Sequence, residues 1–285
     1  MSARVLVRTF AAAVFVLCRL VSAVASDKDP IAVISDNSFL VEEAYNQEPG
    51  VIQHIFSAVH THDPSRHGWM FSFTQEWPVP AEEHQLSYTI PSSHLWDSGQ
   101  CQCGIGDILI NYRYQALEEG ERQPAFAPRF SLILPTGDRR RGTGNGVVGY
   151  QWNLPLSKKV ASRLAVHANL GLTYLPHVRA PIAGSGQLSP RQSLVSYNLG
   201  ASAIFALLPR FHLLLEWVSN FEQSINDAGK AERAFKPVIS PGFRTAVVNE
   251  EDLQVVLGAA VPIGLNRNAD NEGVFLYLSV EHKLF

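Results

Sequence analysis

The chain is 285 residues long, 46% hydrophobic and 17% charged, with a formal net charge of −3. That length suits one large barrel or two ordinary domains, and the charge balance offers no basic surface for nucleic acid. Past the first two dozen residues no apolar run approaches the ~20 residues of a spanning helix. A place in a membrane would therefore require a closed barrel, because only closure satisfies every backbone group in lipid.

Residues 1–25 have the plan of a secretory leader. Arg4 and Arg8 give a basic start, Phe10 to Cys18 an apolar run, and Ala23-Val24-Ala25 a small-x-small cleavage site before Ser26. Residues 26–50 form an acidic lead-in. Within it, SFLVEEAYNQEPG predicts one or two helical turns, with Ser38 as N-cap and Glu42 and Glu43 in the first turn. Such a segment is either a plug at the barrel mouth or a tether that packs nowhere.

Most segments of residues 51–285 alternate; 51–59 does so poorly, and 238–247 weakly because Pro241 interrupts it. Phe126, Pro128, Phe130, Leu132 and Leu134 share one parity, and Ala127, Arg129 and Ser131 the other. Val148, Tyr150, Trp152 and Leu154 repeat the pattern against Gly149, Gln151 and Asn153. This is the period of a strand with two unlike faces. The same reading predicts strands over 51–59, 68–77, 84–90, 107–115, 126–134, 148–156, 164–175, 194–207, 211–221, 238–247, 253–261 and 274–285. The breaks between them run alternately long and short. Bacterial single-chain barrels have an even strand number, short periplasmic turns and long external loops. A soluble stack of hairpins has no reason to show that asymmetry. The expected fold is thus a single antiparallel transmembrane β-barrel of about 12 strands, with a short N-terminal periplasmic or plug segment. Trp69, Trp77, Tyr114, Trp152 and Tyr174 stand near strand ends, as an aromatic girdle would.

In a barrel the polar parity faces the lumen. Glu76, Arg113, Arg129, Gln151, Asn153, His167, Asn198, Glu216, Arg244 and Glu281 are the candidate lining of a solute path. Charges of both signs in such a space must be paired or wet, which implies a narrow or partly plugged channel. Catalysis is not expected, because the lipid-facing positions offer no serine, histidine and acid together, and nothing points to a cofactor. Cys101 and Cys103 read as a local disulfide or two loop thiols. A metal site with His94 nearby lacks further ligands in the sequence. His60, His62 and His67 read as solvated loop histidines. TGDRRRGTG is no phosphate-binding loop, lacking the Gly-Lys-Ser/Thr ending. Arg139 to Arg141 are external charges suited to lipopolysaccharide phosphates. The terminal Phe285 is the expected docking residue for the barrel assembly machinery. Leu276, Leu278, Val280 and Leu284 lie on the opposite parity from it, so either a bulge near His282 repairs the register or the docking signal is imperfect.

LVEEAYNQEPGVIQHI (40–55), GIGDILINYRYQ (104–115) and above all RFSLILPTGDRRRGTGNG (129–146) resemble the family named for the meta-pathway of phenol degradation, Gram-negative outer-membrane proteins often labelled transporters. The resemblance covers most of the mature chain. It implies an outer-membrane barrel that passes small aromatic or other hydrophobic compounds, and it carries no catalytic residues over. The alternatives are a barrel with a filled lumen, acting in adhesion, envelope structure or partner binding, and a soluble periplasmic β-protein.

Overall fold

The computed structural model describes residues 29–285 except 35, 63–65, 98, 183, 270–271 and 285. The expected leader and the terminal Phe285 lie outside the described residues. Fifteen strand segments follow in order. They are β1 Val51–His62, β2 Arg66–Pro78, β3 His84–Asp97, β4 Gln100–Ile105, β5 Ile108–Tyr114, β6 Ala125–Phe126, β7 Arg129–Leu134 and β8 Gly149–Ala161. Then come β9 Leu164–Val178, β10 Gln192–Leu208, β11 Phe211–Ile225, β12 Ala231–Asn249, β13 Leu253–Ala260, β14 Ile263–Gly264 and β15 Glu272–Lys283.

Twelve of these make the wall, each antiparallel to its neighbours, and β15 returns to pair with β1 from Val51↔Lys283 to His62↔Glu272. The ladder closes on itself, so no wall strand is left with an unpaired edge. The short pieces are appendages: β4 extends β3, β6 pairs β8, and β14 pairs β12 and β15. Among the described residues no helix is long and apolar enough to cross a membrane.

The two faces are inverted relative to a soluble protein. Phe56, Phe71, Ile110, Phe130, Trp152, Leu170, Leu199, Trp217, Phe243, Leu257 and Leu276 are exposed on the outside. The buried set is largely polar and includes Asn111, Arg113, Asn153, His167, Glu216 and Arg244. An apolar band around a polar interior is the arrangement that lipid outside and water inside select.

Several boundaries differ from the alternation. The β3–β4 hairpin occupies residues expected as loop, and β11 and β12 extend to 15 and 19 residues. Beyond the lipid a hairpin needs only its ladder, so the period of two fades while the strand continues. The break 115–128 is longer than the other turns at its end. Pro128, which has no amide to give a ladder, separates β6 from β7 there. The bulge that would repair the register near His282 is absent: β15 keeps one register against β1 and β13 through His282. Leu276 accordingly points out while Tyr277 is buried within.

Candidate functional site

Residues 36–50 form neither helix nor strand. This corrects the helical turns expected from Ser38 onward, none of which forms; a 3-10 turn at Pro30–Val33 precedes them. Ser38 caps nothing. Its hydroxyl donates to Glu43 Oε1 at 3.1 Å and lies 3.2 Å from Ser202 Oγ. The segment is a strap that enters the lumen at the short-turn end, where His212 Nε2 donates to Pro30 O. It turns back around Phe39–Glu42 and emerges at Val51. Phe39 marks its depth, with its ring 5.2 Å from that of Phe275 and 5.0 Å from that of Tyr277. Two glycines make room for the tip. Gly258 faces the Phe39 ring, and a Cβ on Gly200 would stand 3.0 Å from Val41 Cγ2.

A buried backbone must place its amides and carbonyls somewhere, and the strap gives them to the wall. Leu40 N and Val41 N both donate to Glu216 Oε1, at 2.9 and 3.0 Å. Glu42 N donates to Asn169 Oδ1, Ala44 N to Ser157 Oγ, Asn46 N to Gln115 Oε1 and Gln47 N to Gln85 Oε1. In return Arg244 donates to the carbonyls of Ile34, Asp36 and Asn37. Arg113 donates to those of Glu43 and Tyr45, Asn169 to that of Glu42 and Gln115 to that of Ala44. An isolated helix this short is marginal, and side chains spaced around a barrel offered a better set of partners.

The strap's acids meet the wall's arginines. Glu42 pairs with Arg113 at 3.2 Å and Arg129 at 3.1 Å, and accepts from Asn153 Nδ2 at 2.6 Å. Glu43 pairs with Arg244 at 3.2 Å and has His167 Nε2 at 3.9 Å. Ser157 Oγ lies 2.7 Å from His167 Nδ1 while accepting from Ala44 N, so this serine and histidine brace the strap.

Six of the ten lumen candidates thus touch the strap directly: Arg113, Arg129, Asn153, His167, Glu216 and Arg244. Glu76 acts through Gln85, whose amide donates to it at 2.7 Å. Gln151 accepts from Arg129 Nη2 at 3.2 Å. The remaining two stand apart on either side of the tip. Asn198 lines a cavity of about 320 Å³ on the long-loop side, together with Leu40, Glu42, Arg129 and Gln151. Glu281 lines a cavity of about 180 Å³ on the short-turn side, together with Asp36, Glu43 and Arg244. The sequence reading missed Gln53, Gln85, Gln115, Ser157, Asn169 and Tyr277. Gln85, Ser157, Asn169 and Tyr277 lie on the polar parity of their strands, which is the signal that would have found them; Gln115 follows β5, and the alternation around Gln53 is too poor to show it.

Asp36 sits where Tyr277 OH, Gln53 Nε2 and its neighbour's Asn37 N–H all donate to Oδ1, at 2.6–2.7 Å. Burial lifts its pKa from 3.8 to about 6, against the lowering pull of Arg244 and the Tyr277 hydroxyl. Burial also works to raise Glu42, but Arg129 and Arg113 hold that carboxyl below its ordinary 4.5. The seated strap therefore binds the Asp36 proton more tightly than a released strap does. Acidification through about 6 favours seating, and Glu42 opposes this only below its ordinary value. Hydrogen exchange of residues 38–47, corrected for intrinsic rates, is expected to be faster at about pH 7.5 than at about pH 5. Asp36→Asn should remove most of that difference.

The 129–146 motif has a separate explanation. Asp107 is buried and accepts from Gly137 N at 3.0 Å, Asn145 N at 2.7 Å and Asn145 Nδ2 at 3.0 Å. Thr136 Oγ1 donates to Gly106 O and accepts from Ile108 N. The Gly106-Asp107 pair just before β5 thus clamps the TGDRRRGTGN loop over the long-loop end. Asp107→Ala should loosen the loop by about 1–3 kcal/mol, read as new tryptic cleavage at Arg139–Arg141 with the barrel otherwise intact.

A closed antiparallel barrel with an apolar belt and a polar interior has the architecture of an outer-membrane β-barrel. Solved structures of that class share the fold. The COG4313 outer membrane channel from Pseudomonas putida F1 superposes with a TM-score of 0.65 at 13% identity, over 84% of this chain and 97% of that one. The NanC porin superposes at 0.52 and 10% identity, over 81% of this chain and 100% of that one. No family profile and no curated protein sequence matches the chain.

Proposed function

We propose that the protein is an outer-membrane channel for a small solute, with its N-terminal strap as the gate. The fold likeness and the apolar belt support the location. The observation that carries the gate is the pair of cavities, one on each side of the Phe39–Glu43 tip, with Glu42 lining the first and Glu43 the second. On this reading the ten wall residues named from the sequence line the path. The long-loop-side cavity is lined by Glu42, Arg129, Gln151, Asn153 and Asn198. An arginine among amides favours a solute with hydroxyl or carboxylate groups over a bare hydrocarbon. Together with the resemblance to the phenol-degradation family, this points to a small aromatic compound with polar substituents. Arg139 to Arg141 then face lipopolysaccharide, and Phe285 serves the assembly machinery.

A second reading is a barrel whose filled lumen transports nothing. The strap's extensive bonding to the wall favours it. Flux into proteoliposomes separates the two. Uptake of a hydroxybenzoate above that of an unsubstituted benzene supports the channel and its solute class. Absence of any flux, even after the strap is removed, leaves the filled barrel.

A further inference from the structure

The β3–β4 hairpin stands at the long-loop end, on the outer face, away from the lumen. Its register pairs His94 with Cys103 and Trp96 with Cys101. Cys101 and Cys103 are two apart on one strand, so both thiols share a face, and the cross-strand pairing brings the imidazole to them. His94 Nδ1 lies 3.3 Å from Cys103 Sγ, and the three ligand atoms lie within 4.8 Å of one another. Trp69 is the next partner of His94 across the ladder. The cluster therefore sits beside Trp69 toward the long-loop ends of β2 and β3, with His94 exposed.

We propose that Cys101, Cys103 and His94 form a binding site for a thiophilic d10 metal ion such as Zn(II) or Cu(I). The sequence put His94 near the two cysteines, and the hairpin register sets its imidazole against Cys103. Two thiolates and one imidazole suit such ions, and leave one position of a tetrahedral site for water or an external ligand. Binding of Zn(II) by the dithiol releases two protons and changes no oxidation state. The structure holds the pair as a disulfide, which cannot bind. Low-molecular-weight thiols open it by exchange, two external thiols giving one external disulfide and the free pair. Both cysteines are half-buried rather than enclosed, so such thiols can reach the bond, and disulfides open to attack are the labile ones. The site is therefore available when the exterior is reducing and is lost on oxidation.

The test uses the purified mature barrel in detergent, whose only cysteines are these two once the leader that carries Cys18 is cleaved. After phosphine reduction, Co(II) should bind at one equivalent with a thiolate-to-cobalt charge-transfer band, and Zn(II) should displace it. Cys101→Ser and Cys103→Ser should each abolish the band. His94→Ala should weaken binding by about tenfold or more. Heat-dependent gel mobility confirms that each variant keeps its barrel. The proposal fails if the reduced protein gives no such band, if the band survives both serine variants, if the oxidised protein binds equally, or if the disulfide resists reduction.

Discussion

Removing residues 29–47 is expected to raise single-channel conductance by about fivefold or more, because a twelve-strand wall encloses more space than its own side chains fill. The strap occupies that space from Pro30 to Gln47, and its removal leaves Arg113, Arg129, Arg244 and Glu216 facing water instead of strap backbone and side chains. The wall should survive, since its ladder closes through β1 and β15 without any strap residue. Planar-bilayer recording of both forms checks this. A steric variant tests the same point with every charge in place. Gly258→Leu puts a side chain where the Phe39 ring lies, and should dislodge the tip and raise conductance in the same direction. Unchanged conductance in both variants would mean that the strap does not control the path.

Arg244→Ala is expected to be the most disruptive single substitution in the lumen. One guanidinium binds Asp36 O at 2.6 Å, Asn37 O at 3.0 Å and Glu43 Oε1 at 3.2 Å, with Ile34 O at 3.4 Å. Truncation orphans these carbonyls and leaves Glu43 as a buried acid without its cation. Loss of one member of a buried ion pair costs about 3–5 kcal/mol. The strap should release while the barrel stays folded. The readouts are faster hydrogen exchange over 36–47 and raised conductance, at unaltered heat-dependent mobility. Adding Glu43→Gln should recover part of the loss, because the orphaned charge is gone. Arg129→Ala makes the useful contrast. Its side chain is 22% exposed, so water replaces part of what the ion pair supplied and the effect should be smaller.

Much of the wall was legible before any coordinates. Arg129 and Phe130, or Glu216 and Trp217, are neighbours in the chain with opposite environments, and lipid imposes that alternation strongly enough to read. Legibility ended where lipid ends. The outer parts of β3, β11 and β12 and the whole of β4 carry no such period, because neither of their faces must be apolar. The strap was read as helix because Ser38 and the glutamates after it do fit a helix start. Propensity speaks for a segment in isolation, and this segment has six of its amides paired with wall residues. Asp107 went unmarked for a related reason, since its three partners lie 30 and 38 residues away.

By itself the sequence determined the barrel: its strand number, the sense of its faces and the polar residues turned inward, all from a period of two that local geometry enforces. Only the tertiary structure decided what those inward residues do. Closing the ladder brings Arg113, Asn153, Glu216 and Arg244 from four different strands around one stretch of backbone. Contacts between residues 67 to 210 positions apart leave no trace in local spacing.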